Sequence, residues 1–205
     1  MGKSLVVFYS LEGNTEFAAK TLAKYIGAYV ERIIPLKQPP KKGFGKYFWG
    51  GKSVVMHERP VLEPLQREIT EFDNIIIGFP IWAGSYPPAI SSFIKDYPFR
   101  GKKCYIIACS AGGNTKKAIE KLKGRLSANK IVDTISLIDP AKDKEKNEKL
   151  IAAFAGKNFD KAEEAPAEKA EEDKEDVTEF VQDEIGTEDD GEIKFGTDDD
   201  DAEIG

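Results

Sequence analysis

The stretch Leu5-Val6-Val7-Phe8-Tyr9-Ser10-Leu11-Glu12-Gly13-Asn14-Thr15 sets the architecture of the chain. Its unbroken apolar run, Leu5 to Tyr9, reads as a strand covered on both faces, as in a parallel sheet with helices above and below it. The run ends at Ser10. A helical pattern then extends from Asn14 to Ile26, with Ala18, Leu22 and Ile26 spaced four apart on one face. A buried strand that passes through a short polar loop into an amphipathic helix opens a strand–helix–strand unit.

The pattern recurs along the chain. Ala28 to Ile34 is strand-like with polar residues intruding. Ile75-Ile76-Ile77-Gly78-Phe79 is a second buried run, and Pro87 to Lys95 a helix with proline in its first turn. Tyr105-Ile106-Ile107-Ala108-Cys109 is a third buried run, followed by a helix over Asn114 to Leu126 that carries Ala118, Ile119, Leu122 and Leu126 on one face. Ile131 to Ile138 mixes Asp133, Thr134 and Ser136 into a last strand, and Leu150, Ile151, Phe154 and Ala155 mark a closing helix. Strands separated by helices imply right-handed crossovers and an α/β fold, a doubly wound five-stranded parallel sheet flanked by helices. The three wholly apolar strands belong in the centre and the two mixed ones at the edges. The order 2-1-3-4-5 satisfies both conditions.

These elements fill residues 1–159, read as one domain. Residues 36–63 interrupt the rhythm with a segment rich in Gly, Pro, Lys and aromatics, long for an α/β connection and therefore either a lid or a linker. Its aromatics, Phe44, Tyr47, Phe48 and Trp49, favour a lid that packs on something. Residues 160–205 read as a disordered acidic tail with scattered apolar residues. The net charge of −6 conceals the division. Residues 1–159 hold 26 Lys and Arg against 15 Asp and Glu, a net of +11, and residues 160–205 hold 4 against 21, a net of −17. Gly186-Thr187-Glu188-Asp189-Asp190 and Gly196-Thr197-Asp198-Asp199-Asp200 repeat loosely in the tail but lack the spacing of a calcium loop. Two uses of the tail stay open: folding back on the basic body, or solubilising the chain.

No stretch approaches the roughly 18 to 20 apolar residues of a membrane helix, and Met1 to Ser10 lacks the features of a signal peptide. The expectation is a cytoplasmic protein without membrane insertion. Cys104 and Cys109 sit five apart in one strand, point to opposite faces and cannot bridge each other. With His57 as the only histidine, no ordinary zinc site can be assembled. The lysines are spread over several elements with no nucleic-acid reading motif.

Three loops follow the three central strands, and all open at the carboxyl edge of the sheet, where such folds bind ligands. The first is Ser10-Leu11-Glu12-Gly13-Asn14-Thr15. Hydroxyls and backbone N–H groups at a helix N-terminus suit an anion such as phosphate, and Gly13 lets the backbone approach closely. An ordinary helix-starting turn explains the same residues. The third loop, Ser110-Ala111-Gly112-Gly113-Asn114-Thr115, repeats the Ser-x-x-Gly-Asn-Thr pattern, so the residues alone do not say which loop takes an anion. The second is Gly78-Phe79-Pro80-Ile81-Trp82-Ala83-Gly84-Ser85-Tyr86-Pro87-Pro88. A glycine-flanked tryptophan at a strand end either stacks on a flat aromatic ligand or packs into the core.

Two other chemistries fail on spacing. Gly51-Lys52-Ser53 suggests a phosphate-binding P-loop, but that motif needs a glycine at the position held by Lys46, and no buried strand precedes it. Ala108-Cys109-Ser110-Ala111-Gly112 resembles a hydrolase nucleophile elbow, but its histidine must follow the serine, and His57 precedes it.

Together the three loops resemble those of the flavodoxin family, in the branch whose second loop reads Gly-x-Pro-x-Trp, here Gly78-Phe79-Pro80-Ile81-Trp82. The aromatic and glycine-rich segment 44–51 is similar to that branch as well. The resemblance covers roughly residues 3 to 155 and implies a flavodoxin-like sheet with FMN as cofactor. It implies that Ser10, Gly13, Asn14 and Thr15 hold the phosphate, with Leu11 and Glu12 in the same loop. It implies flavin-ring contacts from Pro80, Ile81, Trp82, Ala83 and Gly84 on one side and from Ser110, Ala111, Gly112, Gly113 and Asn114 on the other. One departure stands out. The family's phosphate loop has a hydroxyl residue where this chain has Glu12, whose carboxylate must turn outward so that only its backbone N–H faces an anion.

The function implied is a redox protein that carries electrons to a redox partner protein, or reduces a small acceptor such as a quinone with NAD(P)H as a donor. In either case the flavin does the chemistry, with no catalytic side chain invoked. The lid slightly favours the covered pocket of a reductase. The alternative is a cofactor-free flavodoxin-like scaffold or interaction protein, motivated by Glu12.

Overall fold

A computed structural model of the protein describes residues 2–37 and 59–159. The central part of the expected lid, residues 38–58, and the acidic tail, 160–205, lie outside the described residues. The described residues form strands β1 (Ser4–Phe8), β2 (Tyr29–Arg32), β3 (Asn74–Pro80), β4 (Lys103–Ser110) and β5 (Lys130–Ile138). Helices α1 (Asn14–Ile26), α2 (Pro88–Asp96), α3 (Lys116–Arg125) and α4 (Lys144–Asn158) connect or close them, and a 3-10 turn spans Ile69–Glu71.

All five strands are parallel, in the order β2-β1-β3-β4-β5. The expected order and the expected edge strands are both realised. Registers run Tyr29–Leu5–Ile75–Cys104–Ile131 across the sheet. The alternation of side chains sends one set to each face. Leu5, Val7, Ile75, Ile77 and Ile106 pack with Ile90 and Phe93 of α2 and Ile119 and Leu122 of α3. Val6, Phe8, Ile76 and Ile107 pack with Ala18 and Leu22 of α1 and Ile151 and Phe154 of α4. Each fully buried aliphatic or phenyl side chain contributes about 1.5–3 kcal/mol. Cys104 lies on the first face and Cys109 on the second, both as free thiols.

Two departures from the sequence expectations have local causes. Leu150 is 44% exposed, because the buried face of its helix is made by Asn147, Ile151, Phe154 and Ala155. The polar Glu31 of β2 is buried rather than solvated. Its carboxylate accepts from Gln66 N at 3.0 Å and pairs with Arg67 Nη1 at 3.3 Å. No helix among the described residues is long and apolar enough to cross a membrane.

Two features prepare the carboxyl edge. A side chain at Gly78 would meet Phe8 Cβ at 3.1 Å and Thr15 Cγ2 at 3.2 Å, so glycine there lets the first turn of α1 press onto the sheet. The described ends of the 36–63 segment are pinned to each other just beyond β2. Leu36 N donates to Val61 O at 2.9 Å, Glu63 N donates to Ile34 O at 2.8 Å, and Pro35 bridges Leu62. Ser92 Oγ of α2 donates to Pro60 O at 2.7 Å. The segment is therefore rooted at the edge where the three loops open.

Candidate functional site

Loop 1 leaves β1 at Tyr9 and enters α1 through Gly13, held in the left-handed region at φ 88°. Ser10 is buried, and its Oγ accepts from Gly13 N at 3.1 Å, closing the turn. No side chain caps the start of α1. Asn14 Oδ1 accepts from Ala141 N at 3.0 Å and ties loop 1 to the loop between β5 and α4. Leu11, Gly13 and Asn14 are half-buried, whereas Glu12 is exposed. Thr15 is 0% exposed, and its Oγ1 has no hydrogen-bond partner among the described residues. Burial pushes the neighbouring Cys109 thiol up to about 12; the Thr15 hydroxyl lies close enough to oppose that shift but not to form a hydrogen bond. An orphaned buried hydroxyl costs stability in the ligand-free protein unless something else supplies its partner.

Loop 3 is built the same way up to one point. Ser110 Oγ accepts from Gly113 N at 2.9 Å, and Gly113 is left-handed at φ 76°. Ala111, Gly112, Gly113 and Asn114 are exposed, and Ser110 is half-buried. The helix starts later than its sequence suggests, at Lys116, because Thr115 stays outside it as the helix-starting residue. Thr115 Oγ1 is hydrogen-bonded to Ser136 Oγ on β5. The equivalent threonines therefore differ: Thr115 is satisfied by a side chain on the neighbouring strand, and Thr15 is not.

Loop 2 turns sharply just after β3. Trp82 and Ser85 exchange both backbone hydrogen bonds at 2.8 Å, and Ala83 and Gly84 between them have φ 45° and 71°. Two successive positive φ values define a type I′ turn. It leaves Ala83 and Gly84 exposed at the tip, with Pro80, Ile81 and Trp82 half-buried behind them. Trp82 is neither a free platform nor a core residue. Its ring meets Tyr9 edge to face, with centroids 5.5 Å apart.

The loops form one constellation. Tyr9 and Trp82 join loops 1 and 2, and Ile81 N donates to Cys109 O at 2.8 Å beside loop 3. Asp139 N donates to Ser110 O at 3.0 Å, which brings in the loop after β5. The candidate residues of loops 1, 2 and 3 lie on this edge. Three further residues belong to it. Arg32, the last residue of β2, reaches over loop 1 and donates from Nη2 to Ser10 O at 3.4 Å. Lys121 of α3 donates to Ser85 Oγ at 3.1 Å and sits over the Tyr86 ring at 5.4 Å. Tyr9 is buried; burial pushes its phenol up to about 12, with the Arg32 guanidinium opposing the shift. Arg32 had a sequence signal, a cation at the carboxyl end of a strand adjacent to β1.

Chemically, loop 1 offers an uncapped helix start and a buried hydroxyl in need of a partner, the elements of an anion site. Loops 2 and 3 offer an aromatic side chain and exposed backbone beside it. The flavodoxin family model matches residues 3–153. Among solved structures, a provisionally assigned flavoprotein of Bacteroides uniformis ATCC 8492 is 29% identical at a TM-score of 0.60, matched over 73% of this chain and 97% of its own. One from Bacteroides eggerthii DSM 20697, assigned in the same provisional way, is 26% identical at a TM-score of 0.63, over 76% and 97%. A flavoprotein of Lactobacillus acidophilus NCFM, solved in complex with FMN, shares the fold at 18% identity and a TM-score of 0.57, over 70% and 98%. No curated protein sequence matches the chain. With the family model covering most of the chain and the strand order the same, the protein belongs to the flavodoxin family.

Proposed function

We propose that the protein binds FMN at the carboxyl edge of its sheet and uses it to pass electrons to an acceptor. The observation that carries this reading is the unsatisfied, fully buried hydroxyl of Thr15 at the uncapped start of α1. A phosphate in loop 1 supplies the missing partner. The same feature favours loop 1 over loop 3, where Ser136 already occupies Thr115. Glu12 is exposed rather than buried against the loop, which weighs against a cofactor-free scaffold.

In this reading the backbone of Ser10 to Thr15 and the Thr15 hydroxyl hold the phosphate, and the α1 dipole favours its charge. Trp82, braced by Tyr9, packs against the flat ring. The exposed backbone of Ala111 to Asn114 borders the ring's other edge, where hydrogen bonding tunes redox potential. FMN, when bound, supplies the electron-transfer chemistry. Pro80 and Ile81, half-buried behind the turn, border the ring on the same side as Trp82.

Of the two uses, reduction of a small acceptor such as a quinone, with NAD(P)H as donor, is favoured over carriage to a redox partner protein. The aromatic residues of the 36–63 segment, whose described ends are joined just beyond β2, motivate it, because a carrier leaves its flavin edge open to its partner. The test is NAD(P)H oxidation by FMN-loaded protein with and without a quinone. Quinone-dependent turnover supports the reductase. Flavin that a dinucleotide does not reduce, but a redox protein does, favours the carrier.

A further inference from the structure

We propose that Arg32 makes the site selective for a phosphorylated flavin over an unphosphorylated one, by offsetting the carboxylates that flank loop 1. The proposal rests on the flavin reading above. Arg32 pairs in register with Phe8, so β2 ends beside the point where loop 1 begins. Its side chain is 32% exposed and is drawn back across the loop rather than into solvent. Nη2 lies 3.4 Å from Ser10 O, and Nη1 lies 3.3 Å from Glu16 Oε2.

The charges around this loop explain why a cation belongs there. Glu12 sits within loop 1 and Glu16 in the first turn of α1. A carboxylate in the first turn of α1 repels a phosphate dianion bound at that turn, and the loop's hydroxyls and N–H groups carry no formal charge to compensate. Glu16 is shared between Lys20, at 2.8 Å, and Arg32, but the two cations are not equivalent. Lys20 lies a turn further along α1 with a side chain 52% exposed, whereas Arg32 also touches the loop backbone. Both Arg32 hydrogen bonds are long, so its five-donor fork is weakly committed and can reorient toward an anion seated in the loop. A surface ion pair with Glu16 alone would stabilise little, which leaves the contact with loop 1 as the more consequential of the two.

The experiment titrates FMN and riboflavin, separately, into the flavin-free 205-residue chain and follows quenching of flavin fluorescence. Wild type, Arg32→Gln, Arg32→Lys and Lys20→Gln are compared, with the thermal midpoint measured for each. Arg32→Gln is expected to weaken FMN binding about tenfold, the size of one charge-assisted contact, while riboflavin binding and the thermal midpoint stay as in wild type. Arg32→Lys is expected to recover part of the loss, and Lys20→Gln to leave the preference for FMN unchanged. Equal FMN affinity in wild type and Arg32→Gln overturns the role of Arg32 while the flavin site stands. Equal weakening of both flavins also overturns it, by showing that Arg32 only shapes the loop. Wild-type protein that binds neither flavin overturns the flavin reading itself and this inference with it.

Discussion

Tyr9 and Trp82 meet edge to face, their ring planes at 85° and their centroids 5.5 Å apart. The contact joins the residue after β1 to the first residue of the type I′ turn, so it sets the spacing between the phosphate loop and the ring-side loop. Such pairs contribute about 0.5–1.5 kcal/mol beyond area burial. For a half-buried tryptophan, Trp82→Ala is expected to cost roughly 1–2 kcal/mol in urea unfolding and to weaken FMN binding at least about tenfold. Trp82→Phe should retain most of both. Unchanged FMN affinity in Trp82→Ala contradicts a ring contact for this residue.

Thr15 and Thr115 offer a paired test of which loop takes the phosphate. Removing an orphaned buried hydroxyl relieves a desolvation cost, so Thr15→Val should leave the flavin-free protein as stable as wild type or more so, yet weaken FMN binding by roughly 10- to 100-fold. Thr115→Val leaves Ser136 without its partner and should destabilise by about 1 kcal/mol, with FMN affinity unchanged. Unfolding curves with and without FMN measure both. The opposite pattern assigns the phosphate to loop 3.

Gly13 and Gly113 hold matching left-handed positions but differ in surroundings. A Cβ at Gly13 meets nothing within 4 Å, so Gly13→Ala carries backbone strain alone, about 1–2 kcal/mol. A Cβ at Gly113 comes within 3.2 Å of Ile138 Cδ1 and adds crowding to the same strain. Gly113→Ala should therefore be the more destabilising in thermal unfolding. Equal losses would show that Ile138 yields freely.

Alkaline pH should weaken the fold. Burial pushes Cys104 and Cys109 from 9.0 up to about 12 and Tyr9 from 10.0 up to about 12. The folded protein keeps these protons through a range in which the unfolded chain releases them. Their stabilisation is complete below about pH 9 and is lost as pH rises toward 12, with a slope approaching about 1.4 kcal/mol per pH unit for each group. Unfolding free energy should be flat from about pH 7 to 8 and fall from about pH 9 to 11, less steeply in a Cys104→Ala/Cys109→Ala variant. A flat profile to about pH 11 contradicts the burial of these groups.

Sheet order was legible in the sequence because burial on both faces writes a central strand as an unbroken apolar run, and only edge strands admit Glu31 or Asp133. Turn chemistry was equally legible: the glycines of the Ser-x-x-Gly pattern adopt the left-handed conformation in both loops. The asymmetry between those loops was not, because it depends on Ser136, on another strand. Leu150 shows the limit of counting apolar positions, since one step along a helix rotates a side chain by about 100° and takes it off the buried face. Glu31 and Arg32, adjacent polar residues on an edge strand, read alike in sequence. Pleating separates them, sending Glu31 to the 65–67 segment and Arg32 to loop 1.

Titrating FMN into the purified, flavin-free 205-residue chain while recording its visible spectrum tests flavin binding most directly. The expected result is saturation at one FMN per chain, with shifted or sharpened flavin bands and quenched flavin fluorescence. Added FMN that keeps the spectrum and fluorescence of the free cofactor contradicts the proposal, while leaving the flavodoxin fold as described.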